Sequence, residues 1–256
     1  SEAGIDSHDG RNEKGDLAEL FTKILDMTTS NTFSFNKSFA KHKISAVMGY
    51  EAKKYHYKYF YGEGTGFISD KFLELDNAAQ AIAVGGSFND DRLVSYFVKG
   101  DYNYNDRYYF SLSYRRDGSS RLAQEERWGN FYAVSGAWDL TKSSFIKNIK
   151  WINSMRLKSS YGTTGNLPTN LYASQSLFSF SNRYNGDPVF FLSNVGNPKL
   201  TWEHSYTFNI GVDFSLLNAR LQGGLEYYNK ITDNLLNNAA VSANTGFSSI
   251  LVNEGK

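Results

Sequence analysis

The strand-like alternation between Trp202 and Phe214 constrains the fold of this chain more than any other feature. Every second residue is aromatic, aliphatic or His, and the residues between them are polar or Gly. Because a β-strand directs successive side chains to opposite faces, the stretch predicts a ribbon with one apolar and one wet face. At ~3.3 Å per residue it runs ~43 Å, and tilted by ~40° it climbs ~33 Å. That climb exceeds the ~25 Å apolar band of an outer-membrane barrel.

The apolar side of this stretch carries its aromatic residues toward the ends, with Ile210 and Val212 further in. Tyr and Trp prefer the interface between lipid and water, so this order is typical of the aromatic girdles of a membrane barrel. A strand of a soluble β-sandwich also alternates. The choice therefore depends on whether the pattern repeats.

The same alternation recurs along the chain and predicts about eight long strands. The other segments are Thr32–Phe39, Lys43–Glu51, Leu93–Asn103, Tyr108–Asp117, Asn130–Trp138, Ser154–Tyr161 and Arg220–Lys230.

The predicted connections differ in length between the two ends of the sheet. Short turns are expected at Ala40–His42, Asn105–Asp106 and Leu216–Ala219, with a compact link at Asp139–Asn153. Longer polar loops are expected at Ala52–Asp91, Gly118–Gly129 and Gly162–Thr201. Short turns at one end and long loops at the other are typical of transmembrane β-barrels. We therefore predict an all-β fold, a transmembrane antiparallel β-barrel with long extracellular loops.

Composition excludes several other classes. No stretch approaches the ~20 apolar residues of a membrane-spanning helix, and the net charge of +1 gives no electrostatic case for nucleic acid. The chain has no Cys, and its 4 His are scattered without metal-ligand spacing, so neither a cofactor nor a metal is expected. Adjacent acidic pairs such as Glu125–Glu126 are typical of solvated loops, and no enzymatic activity is predicted.

One helix is predicted, at Asp16–Met27. Asp16 can cap it, and its apolar residues form one stripe at helical spacing. Such a helix could dock a partner or pack on its own loops.

Candidate ligand or partner contacts are the aromatic, Arg and Asp side chains of the longer loops, because aromatic faces stack on sugar rings and charged groups bind hydroxyls. They are Tyr55, Tyr57, Tyr59, Tyr61, Trp128, Arg183, Tyr184, Asn185 and Asp187. The same side chains could fill loop cores or face a protein. The predicted lipid-facing residues are Tyr206, Phe208, Ile210 and Val212.

Five motifs, in order and with plausible spacings, resemble the SusC/RagA family of TonB-dependent outer-membrane transporters from Bacteroidota. They are RRDGSSR (Arg115–Arg121), RWGNFYAVSGAW (Arg127–Trp138), LKSSYGTTGN (Leu157–Asn166), NPKLTWE (Asn197–Glu203) and LEYYNKITDNLL (Leu225–Leu236). The charged RRDGSSR motif is expected to brace neighbouring loops where a strand leaves the membrane.

The resemblance implies a closed barrel of about 22 strands filled by a plug, located in the outer membrane of a Gram-negative bacterium. It also implies a SusD-like surface lipoprotein that caps the barrel, and import of oligosaccharides or peptides energised by TonB-ExbB-ExbD. A glycan is favoured over a peptide. Residues 31–256 are expected to form part of the barrel and residues 1–30 an extracellular loop segment with the helix, and the plug domain is expected to lie outside this chain.

An alternative function is surface binding or adhesion on a β-barrel without active transport. A plug and TonB box in the parent protein would separate these two functions.

Overall fold

The computed structural model describes residues 2–3, 15–69, 71–72 and 74–256. The strands are β1 (Glu2–Ala3), β2 (Asp16–Phe39), β3 (His42–Thr65), β4 (Gln80–Tyr104), β5 (Tyr108–Ser119), β6 (Trp128–Asp139), β7 (Ile152–Asn166), β8 (Leu177–Tyr184), β9 (Asp187–Asn194), β10 (Glu203–Leu216), β11 (Leu221–Asp233), β12 (Leu236–Ala240) and β13 (Ser249–Asn253). The α-helix is α1 (Ser144–Lys147), and single 3₁₀ turns lie at Leu75–Asn77, Leu140–Lys142 and Ala243–Thr245. Among these residues no helix is long and apolar enough to cross a membrane.

Nine strands form one sheet in the order β1-β2-β3-β4-β5-β6-β7-β10-β11. Sequential strands are neighbours, and β4 through β7, β10 and β11 pair antiparallel. Two further two-stranded sheets are β8-β9 and β12-β13. The predicted all-β, antiparallel fold is confirmed. Each of the eight predicted strands coincides with a strand of the nine-stranded sheet, except that Trp202 and Arg220 lie one residue before β10 and β11.

The chain divides into two compact units, Ser1–Met27 with Lys53–Asp91, and Thr28–Ala52 with Arg92–Lys256. In the first unit Leu17 and Phe67 are buried. In the second unit a core, here called the loop core, joins Phe131 of β6 to the loop residues Leu122, Ala173, Leu200 and Trp202.

The short turns form as predicted, and left-handed backbone closes them. Asn105 and Asp106 have φ of 55° and 50°, which suits the two central residues of a tight hairpin turn. Leu217, Asn218 and Ala219 also have positive φ, between 55° and 62°. These turns connect β4 to β5 and β10 to β11 through only a few residues.

The second unit's part of the sheet has two chemically distinct faces. What we call the apolar face comprises Tyr96, Val98, Phe110, Leu112, Tyr132, Tyr161, Phe208 and Ile210. What we call the polar face comprises Asp101, Ser111, Ser135, Lys158, Ser160, Asn209 and Glu226. The apolar face is the more exposed one: Leu112 is 54% and Ile210 is 40% exposed. A soluble sheet would cover such residues with a second layer.

The prediction of a helix at Asp16–Met27 is wrong, because these residues form the first half of β2. Its apolar side chains stay exposed, with Leu20 at 65% and Phe21 at 66%. A short amphipathic helix gains most of its stability by packing its stripe on a core. Here β2 lies beside β3 in the sheet, and backbone hydrogen bonding overrides the local helical pattern. The extracellular position of residues 1–30 stays a prediction.

Two predicted long loops are largely strand. Within Ala52–Asp91, β3 continues to Thr65 and β4 begins at Gln80. Within Gly162–Thr201, β8 and β9 form a hairpin. Both stretches carry a period-two signal that the loop prediction did not use: Tyr recurs at alternate positions in Lys53–Tyr61, and Phe178 and Phe180 alternate with Ser.

Trp202 was predicted to lie on the apolar side of the long strand, but it precedes β10 and is buried at 5% exposure. Its ring packs edge-to-face on Phe131, with centroids 5.3 Å apart. A Cβ at Gly165 would lie 2.3 Å from Cζ of Phe131, so this packing requires Gly there. Trp202 therefore belongs to the loop core of the second unit.

Candidate functional site

A row of small polar residues crosses five neighbouring strands on the polar face. In register these residues are Asp101, Ser111, Ser135, Ser160 and Asn209. Ser111 Oγ donates to Asp101 Oδ1 at 2.6 Å, and Asn209 Nδ2 donates to Ser160 Oγ at 3.3 Å. The row forms part of a concavity of about 670 Å³. Because these side chains are short, they leave space in front of the sheet, and their polar atoms can hydrogen-bond to a ligand there.

Lys158 provides the main charge contact of the concavity. Its Nζ lies 3.1 Å from Asp213 Oδ1 on β10 and 3.7 Å from Glu226 Oε2 on β11. One cation on β7 therefore spans two carboxylates on the next two strands. All three side chains are 41–52% exposed, so the group can exchange partners with a polar ligand or neighbouring polypeptide.

Arg115 forms a second charged group of the same unit. It lies 2.7 Å from Asp117 and 3.3 Å from Glu51, and it donates to Ser95 Oγ at 2.8 Å. Ser95 is fully buried. The group joins β3, β4 and β5.

The Arg115 group joins strands, whereas the other end of RRDGSSR contacts a neighbouring loop, and the position of the motif at the membrane stays a prediction. At that other end Arg121 donates to the Pro168 carbonyl at 3.0 Å, and Arg121's own carbonyl accepts from Ser174 Oγ at 3.0 Å.

Four contact candidates lie on β3 in the first unit. Tyr55, Tyr57, Tyr59 and Tyr61 occupy alternate positions, so they share one face, and all are half-buried. The rings of Tyr57 and Tyr59 lie 6.1 Å apart. Tyr61 donates a short hydrogen bond to Glu63, and this bond, followed by burial, raises the pKa of Tyr61 above its ordinary value. The face is a ladder of Tyr side chains along one side of β3.

Four other candidates come together at the tip of the β8–β9 hairpin. Arg183, Tyr184, Asn185 and Asp187 surround a turn in which Asn185 and Gly186 have φ of 50° and 89°. Tyr184 is 78% exposed. The sequence already groups these residues, because they lie within five consecutive positions, but it does not predict the hairpin that presents them.

The same hairpin carries an exposed aromatic cluster, whose Phe180 and Phe190 belong to the aromatic residues expected in the longer loops. Phe190 lies 5.8 Å from Phe178 and 6.1 Å from Phe180, measured between ring centroids. Phe180 and Phe190 are 70% and 67% exposed. An aromatic surface of this kind fits a sugar ring, an apolar peptide side chain or a protein partner.

Trp128 lies apart from those two groups, at the start of β6 on the apolar face. Its ring stacks near Tyr96, with centroids 6.2 Å apart, and the Arg116 guanidinium lies 4.9 Å from its centroid. A Cβ at Gly118 would lie 2.8 Å from the indole, so Gly118 makes room for it.

The four predicted lipid-facing residues share one face of β10. Tyr206, Phe208, Ile210 and Val212 pair with Thr163, Tyr161, Ser159 and Leu157 of β7. Phe208 is 39% exposed, whereas Gly211 on the opposite face is buried. Contact of these residues with lipid stays a prediction. Such contact requires an exposed apolar face, and the sheet has one.

Sequence reasoning missed the Lys158 group, because three charges on three separate strands become neighbours only through the register. Within the described part of the chain, no group of three His, Cys, Asp or Glu side chains could hold a metal ion. The chemistry of the polar face is hydrogen bonding and ion pairing, which suits binding and passage.

The chain is similar to proteins of a known family. Residues 4–256 match the family model described as TonB dependent receptor-like, beta-barrel. The TonB-dependent receptor P39 of Formosa agariphila is 32% identical over 240 residues, which are 93% of this chain and 23% of that protein. The TonB-dependent receptor SusC of Bacteroides thetaiotaomicron is 30% identical over 220 residues, covering 83% of this chain and 22% of that protein.

Among solved structures, the RagAB peptide transporter superposes with a TM-score of 0.85 at 29% identity. The match covers 93% of this chain and 27% of that chain. The resemblance to SusC/RagA proteins is thereby confirmed. The chain spans about a quarter of the length of the relatives it matches, and these are named as receptors and transporters, in agreement with the expectation of no enzymatic activity.

Proposed function

The chain belongs to the TonB-dependent receptor-like β-barrel family, and from this we propose that it forms part of the wall of a SusC-like outer-membrane transporter. The transporter imports oligosaccharides or peptides across the outer membrane of a Gram-negative bacterium. The single observation that carries the proposal is the segregation of the sheet into a bare apolar face and a polar face lined by small residues.

Two aromatic bands on the apolar face support a membrane position. One contains Tyr50, Tyr96, Trp128, Tyr132 and Tyr161, in which Tyr50 lies 5.3 Å from Tyr96 and Tyr132 lies 6.3 Å from Tyr161. The other contains His42, Tyr104, Tyr108, Trp138 and Phe145, in which Tyr108 lies 5.9 Å from Trp138. The wall between them is aliphatic and aromatic. Trp128 belongs, on this proposal, to the membrane boundary rather than to the ligand site.

The distance between the bands suits a bilayer. Tyr96 and Tyr104 are separated along β4 by about 26 Å at the usual rise, or about 20 Å across a membrane when the strand is tilted by about 40°. The apolar belt of outer-membrane barrels is about 25 Å tall. The short turns lie beyond the second band, so that end faces the periplasm and the longer connections face outward.

The polar face lines the lumen on this proposal. Its concavity of about 670 Å³ would meet a plug, through which the TonB-ExbB-ExbD system would act. The Lys158 group supplies exchangeable ion pairs there, and the serine row supplies hydrogen bonds. Small residues along a lumen leave space for a plug to shift without steric obstruction.

Nutrient capture is assigned to the outward end, together with a SusD-like lipoprotein. The exposed aromatic cluster and polar tip of the β8–β9 hairpin supply stacking surfaces beside Arg183 and Asp187. These groups suit both a glycan and a peptide, so the ligand is stated as an oligomeric nutrient. The alternative of adhesion without transport is not favoured, since the relatives are named as receptors and transporters.

The test uses the full-length parent protein in its native outer membrane. Solubilised membranes are searched for a copurifying surface lipoprotein, and the complex is screened against glycan and peptide panels. Uptake of the best ligand is then measured with and without TonB. We expect a lipoprotein partner, binding of one ligand class, and TonB-dependent uptake.

Excision of the hairpin sharpens this test. Ser176 Oγ accepts a hydrogen bond from Gly196 N at 3.2 Å, so Leu177–Asn194 can be replaced by a short linker without disturbing the loop core. Excision should reduce ligand or lipoprotein binding while the barrel still assembles. Tyr228→Phe, on the polar face, is the matched control and should bind normally. Normal uptake after excision would show that the hairpin does not capture the nutrient. Uptake that is the same with and without TonB would refute the proposed transporter function.

A further inference from the structure

A patch of cations and exposed apolar side chains lies at the short-turn end of the second unit. We define the turn-end patch by Phe145, Lys147, Lys150, Trp151, Leu217 and Arg220. Phe145 is 60% exposed, and Trp151 and Leu217 are each 54% exposed. The three cations are exposed as well. The combination of large apolar groups and basic groups is typical of a surface that lies at a membrane interface.

The patch is built by the link between β6 and β7. Ser143 and Ile146 are buried and fix α1. Ser143 Oγ accepts a hydrogen bond from Arg107 at 2.9 Å, and Lys147 N donates to the Ser143 carbonyl at 2.9 Å. With Ile146 turned inward, the adjacent Phe145 and Lys147 remain exposed. The link is therefore anchored rather than loose.

The turn between β10 and β11 completes the patch. Leu217 N donates to the Trp151 carbonyl at 2.8 Å, and Ala219 N donates to Asn153 Oδ1 at 3.0 Å. Three successive residues with positive φ direct this turn beside the link. Leu217 and Arg220 are thus held next to Trp151 across two separate connections of the chain.

The patch continues one of the two aromatic bands. Phe145 packs edge-to-face on Trp138, with centroids 6.1 Å apart, and Trp138 stacks on Tyr108. If the apolar face meets lipid, Phe145 and Trp151 lie at the level where acyl chains give way to headgroups. The cations then lie at the level of the phosphates.

The charges of the patch have no ion-pair partner among the described residues. In the described part of the chain, no carboxylate lies within ion-pair distance of Lys147, Lys150 or Arg220. The nearby Lys142 donates to the carbonyl of Asp106 at 2.7 Å. The patch is therefore a cluster of unpaired positive charge beside exposed aromatic groups, which is complementary to an anionic amphiphile.

We propose that the turn-end patch binds the phosphodiester headgroups of anionic glycerophospholipids in the leaflet that faces the short turns. Lys147, Lys150 and Arg220 contact the phosphate oxygens, while Phe145, Trp151 and Leu217 contact the upper acyl chains. The inference rests on the proposed function, because it requires the apolar face to lie in a bilayer.

The experiment uses the full-length protein in nanodiscs of phosphatidylglycerol and phosphatidylcholine in equal amounts. Native mass spectrometry then compares how many molecules of each lipid remain bound. The wild type should retain phosphatidylglycerol preferentially. The double variant Lys147→Glu/Lys150→Glu should lose about tenfold of that preference, since each cation near an anionic surface favours binding by several-fold.

Two variants test the specificity of this result. Lys147→Arg/Lys150→Arg keeps the charge and should retain the lipid. Lys199→Glu/Lys230→Glu makes the same change of net charge at exposed positions outside the patch, and it should retain the lipid too. Equal losses in the two Glu variants would indicate a general charge effect and overturn the proposal.

The outcome separates this inference from the proposed function. If the protein inserts but the Lys147→Glu/Lys150→Glu variant binds phosphatidylglycerol like the wild type, the lipid site is refuted and the membrane position stands. If the wild type does not insert into bilayers at all, the proposed function fails first, and the lipid site with it.

Discussion

The indole Nε1 of Trp202 donates a hydrogen bond of 3.0 Å to the backbone carbonyl of Arg127, a residue 75 positions earlier in the chain. The bond joins the residue before β10 to the connection that precedes β6. Because Trp202 also packs on Phe131, one side chain fixes two connections of the second unit. The loop core is therefore held by specific contacts rather than by general hydrophobic collapse.

Replacing Trp202 should loosen this core locally. Trp202→Phe keeps a ring but removes the donor, and we expect a cost of about 1 kcal/mol. Trp202→Ala also leaves a cavity, and we expect about 3–5 kcal/mol. Hydrogen exchange of the amides near Arg127 and Leu200 measures the effect. Tyr184→Ala, at a position 78% exposed, is the control and should leave that exchange unchanged; faster exchange there would contradict the assignment.

The apolar face should reject charge at mid-span. Ile210→Arg places a guanidinium among lipid chains on our proposal, with an expected cost of about 2–4 kcal/mol. Thr207→Arg, on the opposite face of the same strand, should cost much less. Denaturant unfolding of the full-length protein from bilayers compares the two. Equal costs would argue against a membrane-facing sheet.

The Lys158 group should respond unequally to loss of its two acids. Asp213 lies 3.1 Å from Lys158 Nζ and Glu226 lies 3.7 Å away, so Asp213→Asn should weaken the group more than Glu226→Gln. Because all three side chains are partly exposed, added salt should reduce the difference. Thermal unfolding at low and high ionic strength gives the measurement. Salt-independent effects would mean that the group acts through packing instead.

The turn at Asp106 should show a defined pH dependence. The hydrogen bonds from Lys43 and Asn103 hold the pKa of Asp106 below its ordinary value. A lowered folded-state pKa stabilises the fold above the ordinary pKa near 3.8, and this stabilisation is lost as pH falls through the lower folded-state value.

Asp106→Asn tests that dependence, because Asn also accepts the left-handed backbone at this position. The variant should be less stable than the wild type at neutral pH, and the difference should vanish in strong acid. Unfolding midpoints between pH 7 and pH 2 measure it. A difference that stays constant with pH would show that the side-chain charge of Asp106 does not contribute.

Alternation alone located the strands. In Trp202–Phe214 and Tyr108–Asp117 the period of two repeats over enough residues that only a two-faced sheet can satisfy it, and the antiparallel order follows from the short turns between neighbours. The left-handed turns at Asn105–Asp106 were predictable for the same local reason. Each of these features depends on residues that are close together in the chain.

Prediction from the sequence was wrong where long-range contacts outweigh the local preference for secondary structure. Asp16–Met27 has a helical stripe, yet a place beside β3 makes it a strand. The β8–β9 hairpin was not predicted, although Phe178 and Phe180 alternate with Ser, because the segment is short and its Phe side chains are exposed. The four residues of its polar tip, Arg183, Tyr184, Asn185 and Asp187, were nevertheless predicted as contacts. Side chains of these types can bind a ligand in any backbone conformation.

The sequence by itself determined the positions of the eight alternating strands, the two chemically opposed faces and the family, because these are properties of local periodicity and of residue motifs. Only the tertiary structure decided that Lys158 meets Asp213 and Glu226, that Trp202 leaves the apolar face for the loop core, and that Trp151 lies beside Leu217. These contacts depend on strand register and on loop closure over tens of residues. The stability of each contact depends on residues that are distant in the sequence, and a local pattern does not specify them.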